Sequence, residues 1–156
     1  MVTKEQVLAA QNEWGTGVVK IGSLKEERSA CEAFANEFLD KLYAFDKGAV
    51  LFKPTKCEIE QFRPTKAEAL SYFIAGADRE CNEDHGFAIA PWTKVRFENA
   101  GILLETHRAI AMGNYFFTAV DGTEAKVEYT FGYRLVNGEL KIDVHHSSFP
   151  YVIPMA

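Results

Sequence analysis

Residues 126–148, KVEYTFGYRLVNGELKIDVHHSS, decide the fold. Val127, Tyr129, Phe131, Tyr133 and Leu135 fall at every second position, so an extended chain puts them on one face. Asn137-Gly138 supplies the two left-handed residues of a tight hairpin turn. Leu140, Ile142 and Val144 then continue the inward face of a returning strand. Two antiparallel strands with one apolar face follow. Upstream, Ala109 to Val120 is a third long strand, closed by the turn signal Asp121-Gly122. Thr93 to Glu98 alternates through Val95 and Phe97, and Phe87 to Ile89 reads as a short strand.

The front of the chain has a different period. Val7, Ala10, Trp14, Val18 and Ile21 recur at helical spacing and predict a helix over Lys4–Ile21, with Thr3 and Gln6 as a capping box. Gly15 and Gly17 weaken that helix by about 1 kcal/mol each. Either close packing offsets the loss or the helix breaks near Gly15. Cys31, Phe34, Phe38, Leu42 and Phe45 trace a second helix over Leu24–Phe45, capped by Ser23. A short strand, Ala49–Phe52, ends at Pro54. Pro64-Thr65 opens a third helix to about Ala75, followed by a charged loop over Asp78–Asp84. The order is helices first, then a meander of strands. The fold class is α+β, one domain over residues 1–156, with a strongly curved antiparallel sheet packed on two or three helices.

Composition narrows the function. The chain is 47% hydrophobic and 25% charged, typical of a folded domain. A net charge of -5 with no basic cluster argues against nucleic acid and against anionic membrane surfaces. No apolar run is long enough to span a bilayer, and the first residues lack the layout of a secretion signal. Cys31, Cys57 and Cys81 are odd in number and have no CxxC spacing, so reduced thiols and a cytoplasmic setting are expected. No metal site and no cofactor are expected.

Tyr133-Arg134, Asn137-Gly138 and Ile142-Asp-Val-His-His-Ser-Ser148 carry a resemblance, together with the order of elements along the chain. The sequence resembles the cone-shaped, cystatin-like fold shared by nuclear transport factor two, ketosteroid isomerase and SnoaL-like proteins. Within that group it is most similar to the association (hub) domain of calcium/calmodulin-dependent protein kinase II. The resemblance implies a pocket between sheet and helices, and self-association, as a homodimer or larger, through the outer sheet face. It also implies that a pocket arginine of the hub family is replaced here by His146, which keeps hydrogen bonding and loses a permanent charge.

Strict alternation along the last strand puts Val144, His146 and Ser148 on the core side, and Asp143, His145, Ser147 and Phe149 outside. His146 is therefore the expected pocket residue. The two histidines cannot share a metal ion, and Asp143-His145-Ser147 is not expected to form a triad. Tyr129 and Tyr133 could aim hydroxyls into the cavity. Asn114 either lines the pocket or marks a bulge, since the parity of its strand is undecided. Trp14 and Trp92 are large apolar walls, and His85 closes a loop near the cavity mouth. Ketosteroid isomerase-type chemistry needs an inward carboxylate base; Glu128 and Asp143 both have outward parity. The expected function is an oligomer-forming domain that binds an unknown small molecule. The alternatives are an isomerase, cyclase or dehydratase with His146 as base, and an assembly module with a vestigial pocket.

Overall fold

Amphipathic helices need an apolar surface to cover, and the alternating strands of the back half provide one. The computed structural model describes residues 1–155. Helices α1 (Lys4–Ser23), α2 (Arg28–Leu42) and α3 (Lys66–Ile74) pack against the concave side of a five-stranded sheet. The strands are β1 (Leu51–Lys53), β2 (Trp92–Leu104), β3 (Arg108–Ala119), β4 (Glu124–Val136) and β5 (Glu139–Ser148). Their order across the sheet is β1-β5-β4-β3-β2. The four long strands form an antiparallel meander, and β1 adds in parallel to β5, with Phe52 opposite His145. This is the α+β cone expected from the sequence.

Local chemistry explains most boundaries. Thr3 and Gln6 form the capping box at the start of α1. Thr65 accepts from the Glu68 N–H and starts α3. The first helix does not break at its glycines. A side-chain carbon at Gly17 would lie 2.5 Å from the ring of Phe38, and one at Gly15 would lie 3.2 Å from Val95. The glycines let α2 and β2 approach α1, and that packing offsets their helix penalty.

Three expectations need correction. The second helix starts at Arg28, because Leu24–Glu27 turns back on the end of α1 through N–H bonds to Ile21 and Gly22. It also ends at Leu42, before Phe45. Phe87–Ile89 is a 3-10 turn and not a strand. The strand of Thr93–Glu98 runs on to Leu104 through a bulge between Asn99 and Gly101.

The most consequential irregularity lies between β4 and β5. Gly132 pairs with Val144 and Tyr133 with Ile142, so Asp143 is an extra residue on β5. Gly132 has no side chain, and Val144 fills the place where one would stand, 2.9 Å from that point. The Asp143 carboxylate turns outward and takes two hydrogen bonds from Arg108 on β3, at 2.9 and 2.6 Å. Ile142 faces inward. Past the bulge the parity is reversed, so His145 and Ser147 face inward as well.

The interior is aromatic. Trp14 at the middle of α1 meets Phe38, Phe73, Phe97, Tyr115, Phe117, Phe131 and His145 at ring distances of 5.5 to 6.4 Å. No helix among the described residues is long and apolar enough to cross a membrane. Phe38 is buried against Trp14, Tyr43 and Phe73 and fills the space that Gly17 leaves. Phe38→Ala should cost about 3–5 kcal/mol of unfolding free energy in urea titration; an unchanged midpoint would contradict this packing.

Candidate active site

The polar groups inside this apolar shell form one connected line. Trp14 Nε1–H donates to the Tyr43 hydroxyl at 3.0 Å. Tyr43 lies 2.8 Å from His145 Nδ1, and His145 Nε2 lies 3.1 Å from the Tyr115 hydroxyl. Tyr115 donates to Ser147 Oγ at 2.5 Å, and Ser147 Oγ lies 2.5 Å from Thr55 Oγ1.

Satisfaction of every buried hydrogen fixes the direction of the line. An indole N–H can only donate, so Tyr43 accepts from Trp14. The hydrogen of Tyr43 then has one partner, His145 Nδ1, which must be the bare nitrogen. His145 therefore carries its proton on Nε2 and donates to Tyr115. Tyr115 donates to Ser147, and Ser147 to Thr55. Every hydrogen points the same way, from Trp14 toward Thr55. Burial pushes the His145 pKa well below its usual value, with the neighbouring His146 adding to the shift. The imidazole is neutral at physiological pH.

Thr55 sits on the loop after β1, and several anchors hold that loop. Lys53 Nζ donates to the Ser147 carbonyl at 2.8 Å. The Lys56 N–H donates to the Tyr72 hydroxyl at 3.2 Å. Glu83 accepts the N–H groups of Glu58, Ile59 and Glu60. Arg63 and Asp84, both buried, form a two-pronged ion pair at 2.8 Å, and Ser71 donates to the same carboxylate at 2.5 Å. Asp84 was expected in a solvated loop, and Arg63 draws it inside. Above the loop lies a depression of about 360 Å³, with Lys56, Tyr72, Glu83, His85 and Trp92 among its walls. Thr55 ends the buried line one residue before Lys56, whose side of the loop borders this depression.

The residues singled out from sequence fall in different places. Trp14 begins the line. Tyr129 belongs to a separate closed cluster with Gln11 and Asn99 that pins α1 to the β2 bulge. Tyr133 is buried, and its hydroxyl has no partner among the described residues. Trp92 and His85 line the depression, where Trp92 Nε1–H donates to the Phe87 carbonyl at 2.8 Å. Asn114 has outward parity and reaches the Val127 carbonyl at 3.5 Å. His146 is exposed and borders an outer groove with Leu51, Phe62 and Val144. Ser148 donates to Glu128 on the outer face. The inward assignment of His146 and Ser148, and the outward one of His145 and Ser147, are reversed by the Asp143 bulge. The undecided parity of β3 resolves with Tyr115 and Phe117 buried inside. Thr55, Tyr43 and Tyr72 were not expected at the site. Thr55 lies in an irregular loop with no periodicity to mark it.

Residues 5–149 match the family described as "Metal-independent carbonic anhydrase". The chain belongs to that family. It is 38% identical over 154 residues to a metal-independent carbonic anhydrase of Nostoc sp. (strain PCC 7120), covering 96% of this chain and 75% of that protein. It also superposes with a TM-score of 0.93 on the crystal structure of an iota-carbonic anhydrase from a cyanobacterium complexed with bicarbonate, at 37% identity, covering 97% and 94% of the two chains. A calcium/calmodulin-dependent protein kinase II association domain from Xanthomonas campestris matches at 22% identity, with a TM-score of 0.67 over 98% and 91% of the chains. That likeness shows the fold alone. Family membership overturns the expectation of a binding or assembly domain, and the isomerase-type alternative with it. The hub-domain likeness was a likeness of architecture. No group of three or more histidine, cysteine or acidic side chains among the described residues could hold a metal ion.

The buried neutral His145 makes stability depend on pH. The unfolded chain protonates this imidazole near pH 6.5 and the folded chain does not, so the unfolded state binds more protons below that pH. Stability is then fully present above about pH 6.5 and is lost as pH falls, by up to about 1.4 kcal/mol per pH unit. Urea unfolding between about pH 6.5 and 5 should show this slope, and His145→Gln should remove it. Parallel slopes for the two proteins would contradict a neutral His145.

Proposed function

We propose that the chain interconverts carbon dioxide and bicarbonate at the hydroxyls of Thr55, Tyr115 and Ser147. The observation that carries this reading is the contact of Ser147 Oγ, at 2.5 Å, with both other hydroxyls. The group is backed by the neutral His145, and Thr55 directly precedes Lys56, which borders the depression. Three hydroxyls that both donate and accept suit a planar anion with three oxygens, and the related cyanobacterial enzyme was crystallised with bicarbonate.

In hydration the water oxygen bonds to the carbon of carbon dioxide, one carbon–oxygen π pair moves onto oxygen, and one water O–H bond breaks. The charge that develops on the substrate oxygens meets hydroxyl oxygens already held in place, whose hydrogens turn from one another to the substrate. Tyr115 is positioned by His145, and Ser147 by Tyr115. Donors whose oxygens are fixed in advance lower the barrier because only O–H rotation remains. The aromatic shell of Trp14, Phe52, Phe97 and Phe131 excludes competing water and suits an apolar gas.

Stopped-flow assay of carbon dioxide hydration tests the reading. The purified chain should be active in the presence of EDTA, as the family description implies. Ser147→Ala, Thr55→Val and Tyr115→Phe should each lower kcat/KM by about 10²- to 10³-fold, the usual effect of removing one positioned donor, with melting temperatures showing that the variants remain folded. A wild-type rate no faster than buffer alone would reject the proposal.

Self-association is a second part of the proposal. Leu51 is 70% exposed and Phe62 69% exposed. They border the outer groove beside Val144 and His146, where the backbone of Arg63 and Pro64 already pairs with the edge of β1. We infer a homodimer that covers this apolar groove on the outer sheet face. Light scattering at micromolar concentration should give twice the chain mass, and Leu51→Lys with Phe62→Lys should give a monomer. The three buried free thiols support a reducing, cytoplasmic setting.

A further inference from the structure

Beyond β5 the chain carries an apolar segment that its own fold leaves uncovered. Residues 149–155, FPYVIPM, hold no charged side chain and lie in no helix or strand. Tyr151, Val152 and Ile153 are 80%, 81% and 80% exposed. An exposed apolar run of this kind is an interaction surface.

A second uncovered apolar surface lies on the same molecule. The outer groove has a volume of about 320 Å³, and Val50, Leu51, Phe62, Pro64 and Val144 form most of its wall. Two cations at its border are engaged elsewhere, Lys53 by the Ser147 carbonyl and Arg63 by Asp84. The backbone of β1 is engaged as well, since the Val50 N–H and the Phe52 carbonyl pair with Pro64 and Arg63. An occupant must therefore be uncharged and be held by its side chains, not by strand pairing. The segment meets both demands. Pro150 and Pro154 have no N–H to offer a strand partner, and they keep the residues before them extended. In polyproline conformation residues 151–155 span about 16 Å. Residues 50–53 of the groove span about 13 Å.

The segment points away from its own groove. β5 runs parallel to β1, with Val144 beside Leu51 and His146 beside Lys53. Past His146 the chain leaves the groove behind. Pro150 holds Phe149 extended and Pro154 holds Ile153 extended, which leaves only Tyr151 and Val152 to turn the chain back. A second copy needs no such reversal. Phe149 lies about 10 Å beyond His146, so two copies related by a twofold axis beside the groove can each lay this segment into the other.

We propose that residues 150–155 are an arm exchanged between two copies of this chain, each arm filling the outer groove of the partner. The inference rests on the homodimer reading and deepens it by naming what covers the groove. Exchange of identical arms is self-complementary and closes the assembly at two copies.

The test uses the full chain. Val152→Asp with Ile153→Asp should raise the dimer dissociation constant by about 100-fold or more, the effect of losing two buried aliphatic side chains. Light scattering across a dilution series reads this. Both side chains are exposed in the single copy, so the circular dichroism spectrum should not change. Leu51→Cys with Val152→Cys, oxidised by copper phenanthroline, should give a disulfide-linked dimer well beyond that of either single variant, the three native thiols being buried. A dissociation constant unchanged by the two aspartates would overturn the arm and leave the homodimer standing. A cross-link confined to one chain would put the segment in its own groove and overturn the exchange, and so would the absence of any cross-link. Wild-type protein with the mass of one chain would reject the homodimer reading and the arm with it.

Discussion

One extra residue on β5 sets the chemistry of the interior. Asp143 is squeezed out of register opposite Gly132 and is held outside by Arg108. Without it, strict alternation would turn His146 and Ser148 inward and leave His145 and Ser147 on the outer face. The bulge brings His145 between Tyr43 and Tyr115, and Ser147 between Tyr115 and Thr55. The Arg108–Asp143 pair is partly exposed, so its own contribution to stability is small. Its role is to choose which face of four consecutive residues meets the core.

The second constraint is the loop that carries Thr55. Nothing in regular secondary structure positions it. The buried pair of Arg63 and Asp84 does so, with Ser71 completing the carboxylate's hydrogen bonds and Glu83 gathering three backbone N–H groups nearer the surface. A buried ion pair of this kind contributes little net stability, because desolvation offsets much of the attraction. Removing one partner would strand a charge in the interior, so the pair acts as a geometric constraint. It fixes where the chain between β1 and α3 can lie, and hence where Thr55 meets Ser147.

Much of the architecture was legible in the sequence. Period-two alternation from Lys126, the Asn137-Gly138 turn and the Thr3 capping box announced a helix-then-meander fold. The site was less legible, for specific physical reasons. A single inserted residue inverts the parity of everything beyond it, and the cue was present only as Gly132 facing a β-branched Val144. Thr55 sits in irregular chain, where spacing carries no information. Tyr43 stands just past the end of α2, outside the stripe that marked that helix. Asp84 looks like part of a charged loop until Arg63, twenty-one positions earlier, is found beside it. The hub-domain likeness pointed to the correct architecture while saying nothing of the hydroxyl line, which that architecture does not require.

Trp14 gives the line a sense. A row of hydroxyls bonded head to tail can run in either of two directions, and the oxygens alone do not choose between them. Here the far end is an indole, whose nitrogen cannot accept a hydrogen bond under any circumstances. Tyr43 must therefore always aim its hydrogen at His145, and the preference propagates through Tyr115 to Ser147. The indole works as a compass pin: one fixed donor at the middle of α1 polarises the whole row.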